Sequence, residues 1–321
     1  MSTSASVLPS AHPGPSATRE RTGQWFMVAG GLLLGTIGVF VEEAGQDPLT
    51  TVWFRCMFGA LALLIWGLAT GRCGELRLRG RGWWAAIATG VLVVFNWALF
   101  FAAISRTSIA VATVVFHVQP IWVMAIGAVW LREPVSRLQW AAVLVALSGL
   151  ALASGLLGSF QPCTRFTPAY IAGVLMCLGG SLSYAGVTLI AKSARTVSSF
   201  ALAWWQCVVG IVLLAWWPLL HGWPLGATSW AWLVGLGAIH TGLAYAVIYA
   251  GMARLSAGRI AILQFVYPAA AIVVDWAVYG RTLSPSQMAG VGLMALALWT
   301  IRRPAAATAE SPSPGSPALR A

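Results

Sequence analysis

Apolar runs of about 20 residues recur along the chain, each closed by a short polar segment. At 1.5 Å of rise per residue, about 20 helical residues cross a hydrocarbon core of roughly 30 Å. The pattern predicts ten spans, near 25–43, 49–70, 83–104, 109–131, 138–158, 168–191, 198–220, 229–251, 258–279 and 284–302. Helices are expected because lipid offers no partner to unpaired backbone groups, and the runs lack the alternation of a barrel strand. No connection is long enough to house a soluble catalytic domain. Residues 1–23 and 304–321 are rich in Ser, Pro, Ala and Gly without apolar periodicity, and are expected to be disordered cytoplasmic tails. No apolar core precedes Gln24, so the first run is expected to remain as a helix and not as a cleaved signal peptide.

Two of the apolar runs are interrupted in the same way. "VVFHVQPIW" (Val114–Trp122) and "ILQFVYPAA" (Ile262–Ala270) each place polar side chains just ahead of a proline. Setting Pro120 on Pro268 gives an offset of 148 residues, which also sets Ser136 on Ser284, Gln139 on Gln287, Ala141 on Ala289 and Val143 on Val291. The chain divides into repeats at 24–158 and 168–303, five spans each. An odd number of spans sends the second copy into the membrane upside down. Such inverted repeats hold substrate near the midplane, between interrupted helices. Transport by alternating access is therefore the leading expectation.

Polar residues at membrane depth are costly in lipid and usually face a bundle interior or water. The candidate substrate contacts are Asn96, His117, Gln119, Tyr184, His240, Gln264 and Tyr267. His117 and Gln264 offer hydrogen bonds, and Tyr267 offers a stacking surface with a polar tip. Pro120 and Pro268 each remove a helix donor, freeing the carbonyls of Phe116 and Gln264, and are candidate hinges. Ser181, Tyr184, Thr188 and Lys192 form one helical stripe, and Gln264, Pro268, Ala271 and Asp275 form another. Ser181, Thr188 and Gln206 are assigned to ordinary interhelical hydrogen bonding. Gly31, Gly35, Gly186 and Gly290 are expected where backbones approach closely. An unperturbed imidazole titrates near neutral pH, so His117 and His240 are candidate proton carriers, with Asp275 a third.

Composition agrees with the span pattern. The chain is 59% hydrophobic and 8% charged, against about 25% charged in soluble domains, and its mean hydropathy is +0.80. The net charge of +11 reads as topology and not as a nucleic-acid surface. With the N-terminus inside, only Arg55, Arg106, Arg165 and Arg281 of the 19 Lys and Arg fall outside, which satisfies the positive-inside rule. Both termini are therefore expected in the cytoplasm. Cys56, Cys73, Cys163, Cys177 and Cys207 form no metal-binding spacing, and no phosphate-binding loop occurs, so no metal or cofactor is expected. Arg55 and Lys192 are placed at helix ends, which leaves no cation at depth for a phosphorylated substrate. A zwitterion or neutral amphiphile is expected instead. Most of the 18 Trp fall at helix ends as an interfacial belt, while Trp97, Trp204 and Trp205 are candidates for walling a pocket.

"DPLTTVWFRCMFGALALL" (Asp47–Leu64), "SRTSIAVATVVFHVQPIWVMAIGAVWLREPVS" (Ser105–Ser136) and "LSAGRIAILQFVYPAAAIVVDWAVYGRTLSP" (Leu255–Pro285) resemble the drug/metabolite transporter superfamily, EamA branch. The likeness spans roughly 24–303. It implies ten helices in a 5+5 inverted repeat around a cavity lined by helices 1, 3, 4, 6, 8 and 9. Within that branch the chain looks most like bacterial amino-acid exporters that accept aromatic side chains. This implies a bacterial inner-membrane protein that exports small metabolites across the lipid bilayer; its oligomeric state is left open, a monomer included, and the scattered basic charge gives no reason to expect a nucleic-acid partner. One departure is Arg281 in "YGRTLS", where the family often carries an acidic residue after helix 9. Two other readings stand beside this one. A multidrug exporter of the same fold would need a cavity carboxylate, with Glu42, Glu43 and Asp275 as candidates. An intramembrane hydrolase would pair Ser181 in "GGSLSYAG" with His240.

Overall fold

The computed structural model describes residues 15–155, 167–194 and 196–300. Among them the structure is helical throughout, with no strand. In chain order the helical units are α1 (Pro15–Gly35, resumed as Ile37–Ala44), α2 (Pro48–Ala69), α3 (Arg81–Ile104), α4 (Ile109–Phe116 and Gln119–Trp130) and α5 (Arg137–Ala153). They continue as α6 (Pro168–Ser193), α7 (Ser199–Leu214 and Trp216–His221), α8 (Ala227–Gly235, Leu236–Leu243 and Ala244–Met252), α9 (Ala257–Leu263 and Val266–Tyr279) and α10 (Pro285–Trp299). Eight of these are long and apolar enough to cross a membrane. The other two, α5 and α10, are shorter, at 17 and 15 residues.

The helices begin where local chemistry permits. Asp47 accepts from the backbone N–H groups of Leu49 and Thr50, and Ser108, Thr167 and Ser198 cap α4, α6 and α7 in the same manner. Each such cap satisfies a donor the helix itself cannot reach, worth about 1 kcal/mol. Ser136 with Gln139 and Ser284 with Gln287 form two capping boxes, at positions related by the 148-residue offset. α9 is capped from the α4–α5 connection, by Glu133 Oε2 accepting from Ala257 N–H at 2.7 Å.

Small residues set the close crossings. A Cβ on Gly35 of α1 would fall 2.5 Å from the Ala270 Cβ of α9, and one on Gly149 of α5 would fall 2.6 Å from the Gly290 carbonyl oxygen of α10. The principal packing pairs are α3 with α6, α5 with α10, α2 with α7 and α8, α1 with α8 and α9, α3 with α7, and α4 with α6 and α9. Trp84, Trp216 and Trp223 are exposed near helix ends, as an interfacial belt requires.

The N-terminal expectation needs correction. Residues from Pro15 onward are helical, so the segment expected to be disordered up to residue 23 is ordered over its last part. The reason is an ion pair: Glu20 meets Arg259 of α9 at 2.8 Å, while Gly23 packs against Arg254 and Leu255. The remaining tail residues, 1–14 and 304–321, lie outside the described residues, as do Cys163, Arg165, Arg195, Arg302 and Arg303.

Candidate functional site

Both proline motifs break their helices. α4 stops at Phe116, turns through His117 and Val118, and restarts at Gln119 with Pro120 in its first turn. α9 stops at Leu263, turns through Gln264 and Phe265, and restarts at Val266. Proline has no N–H to give the preceding turn, so each break follows from the sequence.

The breaks bring the two motifs together. Gln119 of the first half and Gln264 of the second both donate through Nε2 to the Thr188 hydroxyl oxygen of α6, at 3.3 Å each. Thr188 in turn donates to the Tyr184 carbonyl at 3.0 Å. Beside this meeting point the His117 ring stacks on Tyr267, with centroids 6.0 Å apart and planes at 27°. His117 is buried, and its Nδ1 lies 2.7 Å from the Thr113 carbonyl oxygen. Gln264 Oε1 is buried without a hydrogen-bond partner, an acceptor left open at the junction. His117, Tyr267 and Pro268 also line a cavity of about 290 Å³ with Thr113 and Ser154.

Other predicted residues lie elsewhere. Asn96 spends its amide on the Gly180 carbonyl at 2.9 Å, holding α3 against α6. His240 bonds Thr36 at 2.8 Å, between the π-helical turn of α8 and the break in α1, and its Nδ1 has no partner. Among the pocket-wall candidates, Trp204 and Trp205 donate to the backbone carbonyls of Ala60 and Leu76, which is packing. A larger cavity of about 1210 Å³ lies between α1, α2 and α8, with Arg19, Arg72, Lys192 and Arg254 at its charged end. None of the predicted site residues lines it. The smaller junction is the better candidate, because the two proline motifs meet there, whereas the larger space is lined by alanine, glycine and aliphatic side chains together with four cations and two serines.

Arg55 was placed at a helix end by its sequence position, and the structure overturns this. The Asp47 cap marks the start of α2, and Arg55 sits two turns inside it, 5% exposed. Its Nε donates to Thr241 of α8 at 2.9 Å, and its guanidinium lies 4.6 Å from the Trp97 ring centroid. A cation is therefore present at depth.

The model of the EamA-like transporter family matches residues 21–155 and again 171–303. The chain belongs to the EamA-like transporter family. An uncharacterized transporter, YxxF of Bacillus subtilis (strain 168), is 29% identical over 296 residues, covering 91% of this chain and 93% of that protein. An uncharacterized transporter of Archaeoglobus fulgidus is 30% identical over 281 residues, covering 86% and 94%. One solved crystal structure superposes with a TM-score of 0.75 at 20% identity, covering 86% of this chain and 96% of that one, which supports the fold alone. This EamA protein is thus a multi-pass membrane transporter built from two family repeats.

The EamA departure at Arg281 has a structural counterpart. The 148-residue offset sets Glu133 on Arg281. Glu133 pairs with Lys192 at the end of α6, whereas Arg281 pairs with Glu42 at the end of α1 at 3.0 Å and with Asp275 at 2.7 Å. These two carboxylates raise the Arg281 pKa above its ordinary value. The ion pair is kept at both ends of the molecule with its sign exchanged.

The alternative chemistries lose their residues to other partners. Glu42 and Asp275 are held by Arg281, and Glu43 accepts from the Tyr279 hydroxyl. Ser181 of α6 donates to the Leu178 carbonyl and accepts from Trp122, while His240 is engaged by Thr36. Ser181 and His240 therefore do not form a nucleophile–base pair.

Proposed function

We propose that this EamA transporter exports small zwitterionic or neutral metabolites, amino acids with aromatic side chains among them, by alternating access. The observation that carries the reading is the convergence of Gln119 and Gln264, one from each repeat, on Thr188 beside the stacked His117 and Tyr267. A site made by interrupted helices of two repeats is bounded by both and is exposed to either side as the repeats rock. Pro120 and Pro268 serve as the bending points. Amides, a hydroxyl and aromatic rings suit an amphiphile with an apolar side chain better than a hydrophobic cation, for which no free carboxylate is at hand among the described residues.

The reading includes ten spans in a 5+5 inverted arrangement. Packing supports it: exchanging the first five helices for the second five turns α3–α6 into α8–α1, α2–α8 into α7–α3 and α1–α9 into α6–α4, all of them observed pairs. The α5–α10, α2–α7 and α4–α9 pairs map onto themselves. The reading also includes both termini in the cytoplasm, which the lysine and arginine distribution supports, and a bacterial inner membrane as the site of action. A phosphatase fused to the C-terminus is expected to be inactive and a fluorescent protein to be bright; an active phosphatase would reverse the orientation.

The functional test is uptake by proteoliposomes of the purified protein, over a panel of labelled amino acids and hydrophobic cations, with and without a pH gradient. Saturable flux of aromatic amino acids above that of empty vesicles is expected. Saturable flux of cations alone would replace this reading with multidrug export.

A further inference from the structure

We propose that Arg55 is the anion-recognition residue of the substrate site and that transported molecules carry a carboxylate, an inference that rests on the small-metabolite reading above. Arg55 is buried to 5% exposure, yet it has no carboxylate partner among the described residues. The acids of the described residues are committed elsewhere: Glu20 to Arg259, Glu75 to Arg72, Glu133 to Lys192, and Glu42 with Asp275 to Arg281. Asp47 caps α2, and Glu43 holds Tyr279. A guanidinium has five N–H donors and cannot discard its charge by deprotonating. Only Nε is used, toward Thr241, so the forked end that suits a carboxylate remains without an acceptor. A buried cation left so is unfavourable unless an anion completes it.

The surroundings are those of a binding site and not of a structural ion pair. Trp97 lies against the guanidinium, and it shares one buried cluster with Tyr245, against which Tyr184 packs. Tyr184 lies one turn before Thr188 on α6, so this cluster extends from Trp97 and Arg55 toward the glutamine junction, where Tyr267 stacks on His117. Thr241 is presented by a π-helical turn of α8, a rare backbone form that recurs at functional positions. At the other end of the group, Gln264 Oε1 is a buried acceptor with no donor. An open donor fork set against aromatic rings matches a carboxylate carried on a molecule with an apolar side chain.

The test measures displacement of labelled L-phenylalanine, and of labelled 3-phenylpropionate, from the purified full-length protein. The competitors are L-phenylalanine, its amide, phenethylamine and 3-phenylpropionate. In the parental protein the amide and phenethylamine are expected to bind about 10-fold or more weaker than the acids. Arg55→Gln is expected to weaken the acids by about 10- to 100-fold and to leave the amide unchanged, with Arg55→Lys intermediate. An amide that competes as well as its acid in the parental protein overturns the proposal, whatever the variants do. If Arg55→Gln does not fold, the parental comparison and Arg55→Lys decide. Binding of 3-phenylpropionate but not of phenylalanine, lost in Arg55→Gln, would keep the role of Arg55 and remove the amino-acid reading. Binding of carboxylate-free amines only, or of none of the carboxylates, would remove the role of Arg55.

Discussion

Thr188→Val is expected to lower amino-acid transport about tenfold while the protein reaches the membrane at parental levels. The substitution keeps shape and removes one hydroxyl, which now accepts from Gln119 and from Gln264 at 3.3 Å each. Interhelical hydrogen bonds in membranes average about 0.6 kcal/mol, so losing two costs stability only about 1 kcal/mol. The larger consequence is positional. Both amides lose the group that orients them, and one belongs to each repeat, so the junction loosens on both sides at once. A tenfold fall corresponds to about 1.4 kcal/mol of lost transition-state or binding energy, within reach of one displaced polar contact. Gln264→Leu is expected to do the same, because it also removes the open Oε1 acceptor, whereas Thr188→Ser retains the hydroxyl and most of the rate. Rate and apparent affinity are measured in proteoliposomes on an amino acid the parental protein carries. If Thr188→Val and Gln264→Leu both match the parent in each, the junction only holds helices together.

Gly290→Leu and Gly149→Leu are each expected to destabilise the protein by at least about 3 kcal/mol and to reduce its membrane level sharply. At this crossing α5 and α10 touch backbone to backbone. A Cβ on Gly149 would lie 2.6 Å from the Gly290 carbonyl oxygen and 3.0 Å from Met294 N, and a Cβ on Gly290 would lie 2.6 Å from Ala153 N. Flexible side chains can move aside, but hydrogen-bonded helix backbone cannot, so the helices must separate. That separation would strip the buried contacts of Ala146, Leu150 and Met294. Gly292→Leu is the control: it lies on the same helix, and a Cβ there meets nothing within 4 Å. Thermal unfolding in detergent, followed by fluorescence-detected gel filtration, reads the difference. A Gly290→Leu protein as stable as the Gly292→Leu control would show that the crossing is not close.

Much of the architecture is written locally. Apolar runs of membrane length, caps such as Asp47 and Ser136, and the donor missing at Pro120 and Pro268 all act within one or two helical turns. The positions of the helices, the two motif breaks and the matched capping boxes at Ser136 and Ser284 were therefore readable along the chain. Gly290 was equally legible as a small residue at a seam, although its partner was not.

What the tertiary structure decided is which distant groups meet. Thr188 looked like one more helix hydroxyl, yet it joins Gln119 and Gln264 across 69 and 76 residues of sequence. Arg55 looked like an end charge, and its contact with Thr241 across 186 residues is what places it at depth. Asn96 and His240 looked available and are taken by Gly180 and Thr36. The physical reason is rotation: a helix's own sequence fixes that it forms and which residues share a face. The direction of that face depends on how small-residue seams such as Gly35 against Ala270 seat one helix on another. The sequence by itself determined a polytopic helical membrane protein with two repeated, proline-broken motifs. Only the packing of those repeats decided which polar groups are spent on each other and which are left without a partner.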